Sequence, residues 1–151
     1  MKQFTSVEDI LIFAINAEQE AVDFYSRLAM QSVNTEMQQI FKQYAHEEMG
    51  HKSKLMKIRE QGLIGIATEA INDLKISDYT VDVFPGPNMT YADALVLAMK
   101  KEKAAFRLYL DLAALAPNEE IKNIFNALAQ EEAKHKLRFE LEYDEFVLKE
   151  N

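Results

Sequence analysis

The chain contains no cysteine. That excludes disulfides, thiolate zinc sites, thiolate-ligated iron–sulfur clusters and a cysteine nucleophile together. Any metal must be held by oxygen and nitrogen. Glycine and proline are scarce, at 4 and 3 residues of 151, while 48% of residues are hydrophobic. This composition fits one helical globular domain and opposes disorder or a β-rich fold. Basic charge is also short, and the formal net charge is -8. Nucleic acid is therefore not an expected partner, because phosphate binding needs a basic face. No run approaches the roughly 18 consecutive apolar residues of a membrane span. The first residues, Met1 to Ile15, carry Glu8 and Asp9 and show no basic start or small-residue cleavage site. No signal peptide and no membrane association are expected, which makes the cytoplasm the expected location.

What the chain has is a repeated spacing. Glu18 is followed thirty residues later by Glu48 and then by His51. Glu102, Glu132 and His135 repeat that arrangement 84 positions further on. The flanks repeat in the same register: Ala21, Tyr25 and Leu28 match Ala105, Tyr109 and Leu112, and Ile40 and Phe41 match Ile124 and Phe125. A duplicated helical hairpin is implied, over about 5–62 and 89–149, with approximate two-fold packing.

Helical periodicity supports four long helices. The first starts near Thr5, where Thr5-x-x-Glu8 reads as a capping box. The second runs from about Thr35 to Gln61 and stops at Gly62. The third starts at Thr90, with Asp93 three residues on, and ends near Ala116. Asn118 caps the fourth, which reaches about Lys149. Between the hairpins, residues 63–88 carry Gly65 and Pro85-Gly86-Pro87. That is too long for a tight turn and fits a crossover along a four-helix bundle, with a short helix over Ile66–Leu74.

Glu48 and His51 lie three apart and share a helix face, as do Glu132 and His135. Glu18 sits on the apolar stripe with Ala14, Ala21 and Tyr25, and Glu102 sits likewise with Ala98, Ala105 and Tyr109. A helical glutamate is ordinarily a solvated charge. One buried without a partner costs several kcal/mol, on the order of that for any isolated buried ion. Two in matched positions call for a compensating cation. Two Glu-x-x-His pairs and two single glutamates make the first shell of a dinuclear centre in a bundle, suited to iron, manganese or a mixed pair. Glu47 and Glu131 lie four from the histidines and could also reach them. The three-residue spacing favours Glu48 and Glu132, leaving Glu47 and Glu131 at the surface or behind the ligands. Tyr25 and Tyr109 are either core aromatics with a satisfied hydroxyl, or act at the site as hydrogen-bond donors to a ligand carboxylate or as one-electron donors. His46 has no counterpart, since Gln130 stands there, and reads as an ordinary surface histidine.

These motifs resemble the ferritin-like di-iron superfamily, most closely its rubrerythrin-type branch. The resemblance spans about Thr5 to Glu145 and rests on Glu18-x-x-Ala21-x-x-x-Tyr25, Glu48-x-x-His51, Glu102-x-x-Ala105-x-x-x-Tyr109 and Glu132-x-x-His135. Typical rubrerythrins carry a further acidic ligand where Ala105 stands, and a cysteine-rich rubredoxin domain that these residues do not contain. The remaining ligand set is more like the symmetric ferroxidase centre of bacterioferritin. The resemblance implies two iron ions per site, reduction of hydrogen peroxide or oxygen, electrons from a separate donor protein and a homodimer. It also leaves open ferroxidase and storage chemistry, and, further off, hydroxylation of an organic substrate.

Overall fold

A computed structural model describes residues 4–32, 34–61, 70–71, 73–81 and 89–150. Helices α1 (Val7–Gln31) and α2 (Thr35–Gln61) form one hairpin, and α3 (Tyr91–Ala114) and α4 (Glu119–Glu150) form the other. The all-α, four-helix bundle expected from periodicity is what the chain adopts. Among the described residues there is no strand, and no helix is long and apolar enough to cross a membrane.

The helix starts follow from short polar side chains that satisfy free backbone N–H groups. Thr90 Oγ1 accepts from the Asp93 N–H at 3.1 Å, and Asn118 Oδ1 accepts from the Ile121 N–H at 2.9 Å. The first helix corrects the expected cap by one residue. Ser6, not Thr5, is the N-cap, and its Oγ accepts from the Asp9 N–H at 3.1 Å. Asp9, not Glu8, reaches back, accepting from the Thr5 N–H at 3.0 Å. Thr5-x-x-Glu8 and Ser6-x-x-Asp9 offer the same chemistry one step apart, so the pattern alone cannot choose. The third helix ends slightly early, with Leu115 as its C-cap. Gly62, Gly65 and Pro85-Gly86-Pro87 lie outside the described residues. Of the short helix expected over Ile66–Leu74, only Ala70 and Ile71 are described as helical, and a single 3-10 turn follows at Ile76–Asp78.

Within each hairpin the helices are closely packed, whereas α1 meets α3 and α2 meets α4 more loosely. The core is divided in two. At one end the N-terminal half of α1 (Ile10, Leu11, Ala14) packs with the C-terminal half of α3 (Leu108, Leu112) and with Leu55 and Phe125. At the other end Tyr25 and Leu28 pack with Leu95, Ala98, Phe41 and Phe139. Residues equivalent under the 84-residue repeat fill matching places: Phe41 and Phe125, and Leu55 and Phe139, are all fully buried. Burying each of these side chains contributes on the order of 1.5–3 kcal/mol. Two dry plugs thus close the bundle above and below its middle, where the charged residues lie.

Candidate metal centre

Six ionisable residues meet between the plugs. Glu18, Glu48, His51, Glu102, Glu132 and His135 are all at most 2% exposed. One glutamate comes from α1 and one from α3, while α2 and α4 each supply a Glu-x-x-His pair. The donor atoms fall into two sets. Glu18, Glu48, His51 and Glu132 form one, and Glu48, Glu102, Glu132 and His135 form the other, each with its atoms within 4.8 Å of one another. Glu48 and Glu132 belong to both sets. A carboxylate has two oxygens, so these two can bridge a pair of cations while Glu18 and Glu102 each serve one.

The donor atoms fit such cations. Oxygens of Glu18, Glu48, Glu102 and Glu132, with Nδ1 of both His51 and His135, are buried and lack a hydrogen-bond partner. Buried polar atoms are normally satisfied. Here Nδ1 of His51 lies 2.6 Å from Glu132 Oε1, and Nδ1 of His135 lies 2.9 Å from Glu48 Oε1, without hydrogen-bond geometry. Each set thus gathers donor atoms suited to a shared cation. Four carboxylates also cancel two divalent ions. The metal-free chain pays electrostatically: burial first, then the charges of Glu18 and Glu102, push the Glu48 and Glu132 carboxyls well above the usual carboxylate range.

The groups behind the donors cross from one repeat to the other. His51 Nε2 pairs with Glu131 of the opposite hairpin. His135 Nε2 lies 3.4 Å from Glu47 Oε2, the equivalent contact. Both contacts leave Nδ1 turned to the cluster. Glu131 therefore holds His51 from outside by a hydrogen bond, while Glu47 stands near His135 without one. Tyr25 donates its hydroxyl to Glu102, and Tyr109 donates to Glu18. Both phenols are pushed well above their usual range, by burial first and then by the facing carboxylates, so they stay protonated and able to donate. Tyr25 and Tyr109 are thus at once core aromatics and donors to a carboxylate. His46 is exposed and takes no part.

Two features had no signal in the sequence. Tyr44 stacks on the His135 ring with centroids 3.9 Å apart, while the equivalent residue is Leu128. A cavity of about 340 Å³ also opens between α1 and α3 and reaches Glu18, Glu48, Glu102 and Glu132. It exists because Ala17, Ala21, Ala104 and Ala105 leave the facing helix surfaces bare.

The rubrerythrin family model matches residues 9–81 and 93–151. The chain belongs to the rubrerythrin family. No curated protein and no solved structure matches it. That family is one of ferritin-like di-iron carboxylate proteins, and the buried Glu and His cluster of this chain is compatible with a two-metal site. Residues that orient a metal-binding histidine typically change metal affinity about 10–100-fold when substituted. Glu131→Gln is expected to weaken metal binding at least tenfold in a chelator competition titration. Glu47→Gln, whose contact is longer, is expected to weaken it less. Equal affinities in both variants and the parent would remove this role.

Proposed function

We propose that this rubrerythrin-family chain is a di-iron oxidoreductase that reduces hydrogen peroxide, or oxygen, with electrons from a separate donor protein. The proposed ligands are Glu18, Glu48, His51, Glu102, Glu132 and His135. The observation that carries the reading is the pair of buried donor sets sharing Glu48 and Glu132, because such a pair would suit two ions side by side. Iron bound there would supply the electrons that cleave an O–O bond. The protein fixes the donors and leaves them an approach through the cavity between α1 and α3. Glu131 keeps the His51 ring turned inward, and Glu47 stands 3.4 Å from His135 Nε2 at the matching place. Tyr25 and Tyr109 hold Glu102 and Glu18 by hydroxyl donation, steadying the two carboxylates that border the cavity.

A second reading treats iron as the substrate of a ferroxidase. The symmetric ligand set, with Ala105 where a further acid would stand, favours it.

Diferrous protein mixed with hydrogen peroxide under anaerobic conditions distinguishes the two. The expected result is rapid oxidation, complete re-reduction by an added donor, and two irons per chain retained over many cycles. Uptake of tens of irons per chain, or no reaction with peroxide, would displace the oxidoreductase reading.

A further inference from the structure

The cavity between α1 and α3 is much larger than hydrogen peroxide requires. Its volume of about 340 Å³ is more than twice the roughly 150 Å³ that accommodates benzene in an engineered protein cavity. Its walls are mostly apolar: Phe13, Ala17, Val81 and Leu108 enclose it, with Ala21 and Ala105 beside the carboxylates. Polar groups stand at the mouth, where Asn16 and Thr80 are exposed and Lys101 Nζ lies 4.0 Å from Glu20 Oε2. The inner end is lined by Glu18, Glu48, Glu102 and Glu132.

This arrangement selects for a class of molecule. An anionic organic ligand finds no unpaired cationic side chain along the described wall, and four carboxylates face it at the end. A strongly polar ligand would desolvate against alanine, valine and leucine without compensation. A neutral molecule with an apolar body and one small polar end matches both halves of the cavity.

We propose that the cavity is a binding site for organic hydroperoxides, with the alkyl or aryl body between Phe13, Ala17 and Leu108 and the O–O group at the carboxylate end. The proposal rests on the peroxide-reducing reading above and names its substrate class. The reaction is ROOH + 2e⁻ + 2H⁺ → ROH + H₂O. The O–O bond breaks, the alcohol and water leave, and the electrons come from the external donor that reduces the centre. The asymmetry of the wall fits a single entering molecule. Under the repeat, Ala17 corresponds to Lys101 and Ala104 to Glu20, so small residues on one side face a charged pair on the other.

The test has two stages. Metal-free full-length protein is titrated with cumyl alcohol, the stable product of cumene hydroperoxide, and alanine methyl resonances are followed. Saturable shifts centred on Ala17, Ala21 and Ala105 are expected. Ala17→Leu, and independently Ala104→Leu, are expected to weaken the alcohol at least tenfold while the helical circular dichroism is retained. No saturable shift, or affinity indifferent to both substitutions, overturns the site. Iron-loaded protein is then mixed with cumene hydroperoxide and with hydrogen peroxide. The ratio of their second-order rates is expected to fall at least tenfold in Ala17→Leu. Reaction with hydrogen peroxide alone in the parent protein overturns the substrate class and leaves the parent reading standing. Reaction with neither overturns both.

Discussion

Metal-free protein titrated anaerobically with ferrous ion is expected to saturate at two ions per chain, and a Glu48→Ala, Glu132→Ala variant is expected to bind neither tightly. Most binding variants lose one contact, whereas these two carboxylates appear in both donor sets. Deleting them takes two donors from each ion. It also leaves Glu18 and Glu102 as the only carboxylates, too few to cancel two divalent charges. Structural zinc that folds its peptide on binding contributes on the order of 10 kcal/mol, so a loss of several orders of magnitude in affinity is the scale expected when half the donors of each set are removed. Glu18→Ala should behave differently, weakening one ion more than the other, because Glu18 belongs to one set alone. A double variant that still takes up two ions with the parent's affinity would mean that the shared carboxylates are not ligands.

Removing the metal is expected to reverse the dependence of stability on pH. In the metal-free chain Glu48 and Glu132 have carboxyls raised well above their unfolded value, chiefly by burial. The folded state then holds protons that the unfolded state has released. Their stabilising contribution is full below the unfolded value of about 4.3 and is lost as pH rises through the raised one. His51 acts in the same direction. Burial pulls it down, but Glu18 and Glu131 outweigh that and its value ends raised. Its contribution is full below about 6.5 and is likewise lost on going alkaline. Glu18 is the exception. Burial raises it, yet bonding to Glu48, His51 and Tyr109 leaves it lowered, so its contribution is present above its unfolded value and fails only in stronger acid. Between about pH 5 and 8 it is constant. Metal-free protein should therefore melt higher near pH 5.5 than near pH 8, while metal-loaded protein, whose ligands must be deprotonated, should show the opposite order.

General repulsion in a chain of net charge -8 would give part of the first trend. A Glu48→Gln, Glu132→Gln variant separates the two causes. Replacing buried charges by neutral isosteres should stabilise the metal-free form at pH 8 by about 1–3 kcal/mol, or roughly 3–10 °C in melting temperature. It should also flatten the pH profile and abolish the gain from metal. A variant that melts below the metal-free parent at pH 8 would show that the carboxylates are not strained there.

The six clustered residues could be read from the sequence because the same spacing occurs twice, and because Glu18 and Glu102 stand on stripes otherwise made of alanine and tyrosine. The helices could be read from periodicity and from Thr90 and Asn118. What crosses between the hairpins could not. The sequence places Tyr25 near Glu18 along one helix, but in the bundle its hydroxyl reaches Glu102, because facing helices are closer there than two turns of the same helix. Glu131 is likewise adjacent to Glu132, yet one step along a helix turns a side chain by about 100°, which points it at His51 of the other hairpin. The cavity was invisible for a related reason. Ala17 and Ala105 each look like good helix formers, and only their opposition across the bundle makes a void.

The pseudo-symmetric cross-links have a consequence for how the two halves can diverge. Each hairpin finishes the other's surroundings: Tyr109 and Glu131 serve Glu18 and His51, while Tyr25 and Glu47 serve Glu102 and His135. In an assembly of two identical hairpins every substitution would appear twice, and the two donor sets would be bound to remain twins. Joined in one chain, they are released from that constraint. Tyr44 over one imidazole ring with Leu128 at the matching place, and Lys101 opposite Ala17, are differences that only a fused duplicate can keep. The two donor sets can thus differ in their surroundings, one beside an aromatic ring and the other not, with a single gene encoding both.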